Sequence, residues 1–223
     1  MKKILSKIAL GLLLIGILLG GWIAFDLYTP HKVDIRAFDA DEVARLDTAM
    51  WRSYYSRERL KLYSQLTELL EKQYKLNFWR RQLMAYRAAK ATFVFKDGKS
   101  RTDYEKALPD LEKFYASIRD ISTTDFDAQK AAKLELEWWI VHRERQKYQE
   151  GDLARALAET AAEIYKMPVE NFMEHGLLRA EAMNIRDNQA EAGGVSEEDW
   201  QKIDELLHQS WRSLHTAVNQ NSL

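Results

Sequence analysis

The strongest hydrophobic pattern in the chain is an uncharged apolar run at residues 8–25, IALGLLLIGILLGGWIAF. An α-helix of that length extends about 27 Å, which is close to the hydrocarbon thickness of a lipid bilayer. The run therefore predicts a transmembrane helix at residues 8–28. No second run of this length follows it, so the pattern predicts a single span.

Two kinds of segment share this pattern, the cleaved signal peptide and the retained signal-anchor. A signal peptide ends at a cleavage site of small residues, but Ala24 is followed by the bulky or charged residues Phe25 and Asp26. The chain has no cysteine, so a lipid cannot be attached at an N-terminal cysteine. The sequence therefore favours a retained anchor, with a cleaved peptide as the alternative.

The charges that flank the run predict its orientation. The basic residues before it are Lys2, Lys3 and Lys7, whereas the opposite flank mixes aspartates with basic residues. Lysine and arginine beside a span favour the cytoplasmic side, which predicts residues 1–7 as a basic cytoplasmic tail. We expect a bacterial inner-membrane protein whose C-terminal domain is periplasmic or extracellular.

The outer half of the predicted span carries two further signals. Trp22 and Tyr28 have amphipathic rings, which favour the headgroup level of a bilayer, and we expect both at the membrane interface. Gly16 and Gly20 form a G-x-x-x-G motif, a spacing that lets two membrane helices approach closely. This motif leads to the hypothesis of a homodimer, and ordinary transmembrane composition is the alternative.

Beyond the span, apolar residues recur every three or four positions, which is the pattern of an α-helix packed on one face. The chain contains only three prolines and nine glycines, so positions that break helices are few. Residues 29–40, which include Pro30, are predicted as a juxtamembrane linker. Residues 41–223 are predicted as an extracytoplasmic all-α domain, an antiparallel bundle of six to eight helices.

Short sequence signals mark where helices of this domain begin and end. A polar stretch at residues 57–59 predicts a break in the first long helix. Gly98 predicts a left-handed backbone at the end of a helix over residues 78–95. Ser196 and Asp199 have the spacing of a capping box and predict the start of the last helix. Within the helix over 78–95, helical spacing is kept by four residues: Leu83, Tyr86, Lys90 and Phe93.

Composition narrows the classes of function. The chain has 33 basic and 34 acidic residues, and a net charge of −1 argues against nucleic acid, whose binding requires a basic surface. The lack of cysteine excludes disulfides, a thiol nucleophile and thiolate metal ligands. Seven tryptophans, ten tyrosines and eight phenylalanines are sufficient to build a core by packing alone.

Two predicted helices carry carboxylates and imidazoles that could meet inside a bundle. Glu135 and His142 are seven residues apart, so they lie on nearly the same helix face, and a later helix carries Glu170, His175 and Glu181. If the two helices packed face to face, these side chains would suit iron, manganese or zinc, or a proton-transfer site. The alternative is a set of hydrogen-bonded structural residues. We expect no cofactor, with a transition metal as the alternative.

A second pattern places an arginine directly or shortly after a tryptophan. Trp51, Trp79 and Trp211 are each followed by an arginine, and another arginine follows the pair Trp138-Trp139. Guanidinium groups beside aromatic walls could bind an anionic ligand, because they pair in bidentate fashion with carboxylate or phosphate. The alternative is a structural network in which these arginines pair with Glu135, Glu137 or Glu181. The four candidates for anion binding are Arg52, Arg80, Arg143 and Arg212.

No catalytic residue can be assigned from sequence, because the chain has neither a Gly-x-Ser-x-Gly nucleophile motif nor a phosphate-binding loop. The sequence predicts a membrane-anchored helical domain that is more consistent with binding than with catalysis. We expect an accessory protein that binds a partner protein or a small ligand at the outer face of the membrane. The alternative is a helical-bundle metal oxidase that uses carboxylate and histidine ligands.

Overall fold

The computed structural model describes residues 2–220 of the chain, and their regular secondary structure is helical. The predicted tail begins at residue 1 and the predicted domain ends at residue 223, so these two ends lie outside the described residues. The helices are α1 (Lys2–Tyr28), α2 (Ala40–Tyr55), α3 (Arg59–Tyr74), α4 (Phe78–Asp97), α5 (Arg101–Tyr104), α6 (Leu108–Ile121), α7 (Ala128–Arg143), α8 (Asp152–Tyr165), α9 (Met173–Glu191) and α10 (Glu197–Asn219).

Helix α1 is the element that the apolar run predicts. Its segment Ile4–Tyr28 has 25 residues and a mean hydropathy of 2.5, and it is long and apolar enough to cross a membrane. No residue in the most apolar 18-residue stretch of this helix is buried in the structure. The helix begins before residue 8 because Ile4, Leu5 and Ile8 continue the helical apolar pattern.

The remaining helices form an all-α bundle, as the sequence predicts. Eight of them, α2–α4 and α6–α10, are 14 residues or longer, which is the upper limit of the predicted number. Helices that follow each other in the chain pack side by side, and α10 packs on both α9 and α2. The main core is apolar, and its fully buried large side chains include Phe172, Ile35, Leu46, Leu70, Met84, Ile118 and Ile140.

The segment between α1 and α2, which the sequence predicts as a linker, is packed into the domain. Ile35 is fully buried and Phe38 is 5% exposed, and both belong to the main core. Val33 pairs with the end of α6, because its N–H donates to the Ile121 carbonyl at 2.7 Å and its carbonyl accepts from the Thr123 N–H at 3.0 Å. The chain therefore enters the bundle as soon as α1 ends.

The local signals had mixed outcomes. The break predicted near residues 57–59 lies between α2 and α3, where Arg57 has a φ of 61°. The capping box of Ser196 and Asp199 at the start of α10 is confirmed. The left-handed backbone predicted at Gly98 is wrong, because its φ is −67°. Glycine is required there for space, since a Cβ would lie 2.8 Å from the Tyr104 ring.

Helix α4 has its spaced residues on the outside of the bundle. Leu83 is 37% exposed, Tyr86 58% and Phe93 51%, and Lys90 is exposed between them. We call these four residues the α4 stripe. The opposite face of α4 carries the buried residues Met84, Ala85 and Ala91, and the two alanines let α4 pack closely on its neighbours α3 and α6.

Candidate functional site

The end of α1 is bound to the start of α4 by a carboxylate. Asp26 lies in the last turns of α1 and is only 4% exposed, and its Oδ2 accepts the backbone N–H of Trp79 at 2.5 Å. Trp79 is in the first turn of α4, where N–H groups have no partner within the helix. The N-cap residue Asn77 provides no side-chain cap. The cap is therefore supplied by another helix, and its negative charge suits the positive end of the α4 dipole.

Arg80 makes the opposite connection, from α4 to the end of α1. Its Nε donates to the Asp26 carbonyl at 2.7 Å, and one Nη donates to the Leu27 carbonyl at 3.1 Å and to the Thr29 carbonyl. Carbonyls in the last turn of a helix also lack helical partners, and a cation is favourable beside them. Each of the two helices thus completes the hydrogen bonding of the other.

Aromatic rings surround these polar contacts. Trp22 of α1 stacks on Phe78 at 5.8 Å between ring centroids, and it meets Trp79 edge-on at 5.5 Å. We call Trp22, Asp26, Phe78, Trp79 and Arg80 the α1–α4 joint. Asp26 was not predicted as a functional residue, although an acidic residue near the end of an apolar helix was a signal that could have identified it.

The two predicted interface residues remain accessible at the end of α1. Trp22 is 51% exposed in spite of its contacts in the joint, and Tyr28 is 82% exposed. Gly16 and Gly20 are also open, since an added Cβ would meet no atom within 4 Å at either position. A close approach of a second helix at the two glycines is therefore sterically open, and the homodimer stays a prediction.

The first predicted metal-ligand candidate, Glu135, is fully engaged by protein donors. Its Oε2 accepts from the Tyr115 hydroxyl and the Trp138 indole, each at 2.8 Å, and its Oε1 accepts from the Trp139 indole at 3.0 Å. Burial raises the pKa of Glu135 above its usual value, although these three donors act in the opposite direction. The carboxylate is thus a hydrogen-bond acceptor that orders three aromatic side chains.

His142 lies on the same helix as Glu135 but has a different partner. Its Nε2 is 3.0 Å from Oδ2 of Asp187, a carboxylate that also accepts from Arg145 at 2.5 Å and from Arg186 at 2.8 Å. Burial acts to raise the pKa of Asp187, but hydrogen bonds from His142 and Arg186 outweigh it and hold this pKa below the usual value. His142 therefore belongs to an ionic cluster between α7 and α9.

His175 is buried between α9 and α10, away from the His142 cluster. Its Nδ1 lies 2.7 Å from the Ser210 hydroxyl and 3.0 Å from the Ser210 carbonyl oxygen. The Ser210 hydroxyl donates in turn to the His175 carbonyl at 3.0 Å. Burial, with a smaller contribution from the positive charge of Arg179, lowers the pKa of His175 to about 4. The imidazole is therefore neutral near pH 7.

The other two metal-ligand candidates, Glu170 and Glu181, are exposed. Across residues 2–220, no group of three or more histidine, aspartate or glutamate side chains is arranged to hold a metal ion. The structure does not bring the five candidates together, because each buried one is held by its own local partners. The geometry therefore gives no support to a shared metal site built on Glu135, His142, Glu170, His175 and Glu181.

The four arginines predicted as an anion site are separated and each is bonded within the protein. Arg52 forms a bidentate pair with Glu197 at 2.5 and 2.8 Å, and Arg212 pairs with Asp41 at 2.6 Å. Arg143 donates to the Phe95 and Lys96 carbonyls at 2.8 and 2.9 Å, and Arg80 belongs to the joint. The alternative prediction of a structural network had the wrong partners, because none of these arginines forms an ion pair with Glu135, Glu137 or Glu181.

Sequence reasoning also missed a buried ion pair between α2 and α9. Asp47 is 4% exposed and accepts from Arg179 at 2.5 and 3.4 Å and from the Trp211 indole at 2.9 Å. The Arg179 guanidinium also lies 5.5 Å from the Trp51 ring and 5.8 Å from the Trp211 ring. A signal was available, since Asp47 follows the core residue Val43 by four positions and so shares its helix face.

These features define the class of the protein. It is an all-α bundle joined at one end to a helix that is long and apolar enough to span a membrane. Comparison of the chain with protein-family models, with curated proteins and with solved structures finds no match. The case for a function therefore rests on the physical chemistry of the chain.

Proposed function

We propose that the protein is a membrane-anchored, non-catalytic binding protein that acts as an accessory subunit at the outer face of the bacterial inner membrane. In this proposal α1 is the span, its N-terminus is cytoplasmic, and the helical domain is periplasmic. The lysines at positions 2, 3 and 7 support this orientation, because basic residues beside a span favour the cytoplasm.

The observation that carries the proposal is the α1–α4 joint. A flexible tether between span and domain would leave the domain free to rotate, whereas the joint replaces it with reciprocal hydrogen bonds and ring contacts. A domain held in this way presents the same surfaces at a constant height above the bilayer. Such preorganisation lowers the entropic cost of binding a partner that is itself confined to the membrane.

The orientation can be tested with the full chain in bacteria. Alkaline phosphatase is active only outside the cytoplasm, so a fusion after residue 223 should be active in intact cells. Expression is checked by immunoblot, and a fusion to a variant with Leu14→Arg and Ile15→Arg in the span serves as the unexported control. A well-expressed but inactive fusion to the unaltered chain would reverse the proposed orientation.

Binding can be tested by photo-crosslinking from surface positions of the membrane-bound protein. A photoreactive amino acid is placed at Leu60, Leu177 or Gln201, which are exposed on α3, α9 and α10. We expect one discrete protein adduct from at least one position, and at least a threefold lower yield when the joint is removed by Asp26→Ala with Arg80→Ala.

The control for this experiment is Arg101→Ala, which removes an exposed ion pair far from the joint. Arg101 pairs with Glu137 at 2.5 Å, and this variant should leave the adduct unchanged. Absence of any discrete adduct from all three positions would contradict a binding function. An adduct that persists undiminished in the joint variant would show that the joint has no role in binding.

A further inference from the structure

We propose that the α4 stripe lies against the surface of the bilayer, so that α4 is an interfacial helix that rests on lipid headgroups beside the span. The proposal concerns a second membrane contact, in addition to α1, and it rests on the proposed role of α1 as the span. Its occupant is the lipid bilayer itself.

The first observation is that the three apolar residues of the stripe are exposed on one face of α4, while Lys90 between them pairs with Asp110 of α6 at 3.0 Å. Leu83, Tyr86, Lys90 and Phe93 follow one another at intervals of three or four residues, so they share one face of α4. Between 37% and 58% of each apolar member is exposed, whereas the opposite face of α4 is buried on α3 and α6. Contiguous exposed apolar surface of this kind is typical of an interaction site.

The second observation is that the stripe continues a contact already made with the span. Trp79 lies four residues before Leu83 on the same face, and its ring meets that of Trp22 in α1. Trp22 is six residues from the end of the candidate span, which places it at headgroup level when α1 crosses the bilayer. The start of the stripe therefore lies at the depth of the membrane interface.

The third observation is the chemistry of the helix. Contact with acyl chains is favourable for leucine and phenylalanine because it removes their apolar side chains from water. Tyrosine suits the headgroup level because its ring is apolar and its hydroxyl is polar. The Lys90 stem can lie along apolar surface, while its ammonium is held by the Asp110 carboxylate of α6. Helix α4 contains five basic residues against the single acidic residue Asp97, a composition typical of helices that lie in a membrane interface. The basic residues are Arg80, Arg81, Arg87, Lys90 and Lys96.

The lack of cysteine permits a direct test with the full chain. Tyr86→Cys and Phe93→Cys variants are labelled with an environment-sensitive fluorophore and reconstituted into vesicles of phosphatidylcholine and phosphatidylglycerol. Nitroxide groups on the lipid headgroups, or deep on the acyl chains, report the depth of each label by quenching. We expect both labels to lose at least half of their emission with the headgroup nitroxide and less with the deep one.

Two further labelled variants serve as controls. Leu18→Cys lies in the span at an exposed position, and it should be quenched most by the deep nitroxide. Gln201→Cys is exposed on α10, outside the stripe, and it should not be quenched by either lipid. Both stripe positions are exposed and their side chains are not in the core, so the substitutions leave the packing of the bundle unchanged.

The outcomes separate this inference from the proposed function. Deep quenching at position 18 with no quenching at positions 86 and 93 would leave the span intact and overturn the interfacial role of α4. Absence of quenching at position 18 would overturn the span, and the inference with it. Efficient crosslinking of position 86 between two copies of the chain, without lipid quenching, would identify a second copy as the occupant and overturn the lipid contact.

Discussion

At the scale of single residues, the ionisable side chains of this protein are explained by the partners that hold them. Glu135 is bonded to three aromatic donors, and His175 is bonded to Ser210. Asp47 lies beside Arg179 within the bundle. A buried charge is tolerated only when it is paired and hydrogen-bonded. Substitution of these residues should therefore lower the free energy of unfolding.

The pair of Asp47 and Arg179 gives the first prediction. Asp47→Ala leaves the guanidinium without its carboxylate between two tryptophans, and breaking a buried pair in this way costs about 3 kcal/mol. Urea denaturation of the full chain in detergent micelles measures this loss of unfolding free energy. Glu42→Ala is the matched control, because its pair with Arg45 is exposed and worth less than about 0.5 kcal/mol. Equal effects of the two variants would contradict the prediction.

The lowered pKa of His175 predicts a dependence of stability on pH. The unfolded chain binds a proton on this histidine below about pH 6.5, whereas the folded protein does so only below about pH 4. Its contribution to stability is therefore fully present above pH 6.5 and lost as the pH falls towards 4, by up to about 3 kcal/mol. Measurement of unfolding free energy from pH 7 to pH 4 should show this decline.

His175→Gln isolates the contribution of this residue from those of the carboxylates. The variant should be less stable at pH 7, but the difference from the unaltered protein should shrink as the pH falls, because the variant has no imidazole to protonate. His208→Gln is the control, since His208 lies at the surface side of α10 and contacts the Asp204 carbonyl of its own helix. A difference that stays constant from pH 7 to pH 4 would exclude this role of His175.

At the scale of elements, helices are positioned by close contacts that their own periodicity does not reveal. Gly176 in α9 is buried against α8, and a Cβ there would lie 2.1 Å from the Ala154 carbonyl oxygen. This contact fixes the distance between the two helices. Gly98 has a similar effect at the end of α4, where the Tyr104 ring occupies the space of a side chain.

Gly176→Ala should therefore destabilise the protein, although alanine is favoured over glycine in an isolated helix by about 1 kcal/mol. The methyl group would force α8 and α9 apart, and overpacking of this kind costs about 2 kcal/mol. Urea denaturation measures whether the free energy of unfolding falls or rises in this variant. Asn184→Ala, at an exposed position of the same helix, is the control and should change stability by less than about 0.5 kcal/mol. Stabilisation by Gly176→Ala would refute the close contact.

At the scale of the whole molecule, the orientation of the domain relative to α1 depends on the joint. The Asp26 carboxylate accepts the Trp79 N–H and Arg80 donates to the Asp26 carbonyl. Trp22 adds ring contacts with Phe78 and Trp79. The chain that follows α1 enters the core at Ile35 within a few residues. Helix α1 and the bundle are thus connected both by these contacts and by the chain that joins them.

The distance between spin labels on cysteines introduced at positions 18 and 201, measured in nanodiscs, tests whether α1 and the bundle keep one relative orientation. Both sites are exposed and the chain has no cysteine of its own. The unaltered protein should give a single narrow distance distribution. Asp26→Ala with Arg80→Ala should broaden that distribution at least twofold, while the circular dichroism of the domain stays unchanged. Arg101→Ala, remote from the joint, should leave the distribution narrow, and equal widths for all three proteins would contradict a rigid joint.

The sequence by itself determined the features that depend on local periodicity and composition. The apolar run, the helical spacing, and start signals such as that of Ser196 and Asp199 involve residues that are neighbours on one helix, so their pattern is visible in the chain. The all-α bundle and the long apolar helix followed from these features, and the structure has both.

Only the tertiary structure decided which polar groups meet. His142 and His175 could have converged if their helices had packed face to face, yet their partners are Asp187 and Ser210, 45 and 35 residues away in the chain. The partner of Asp26 is an N–H group 53 residues away. Periodicity records which face a residue occupies but not which helix covers that face. Contacts between helices depend on the packing of the whole bundle, and that packing made the joint and left the α4 stripe exposed.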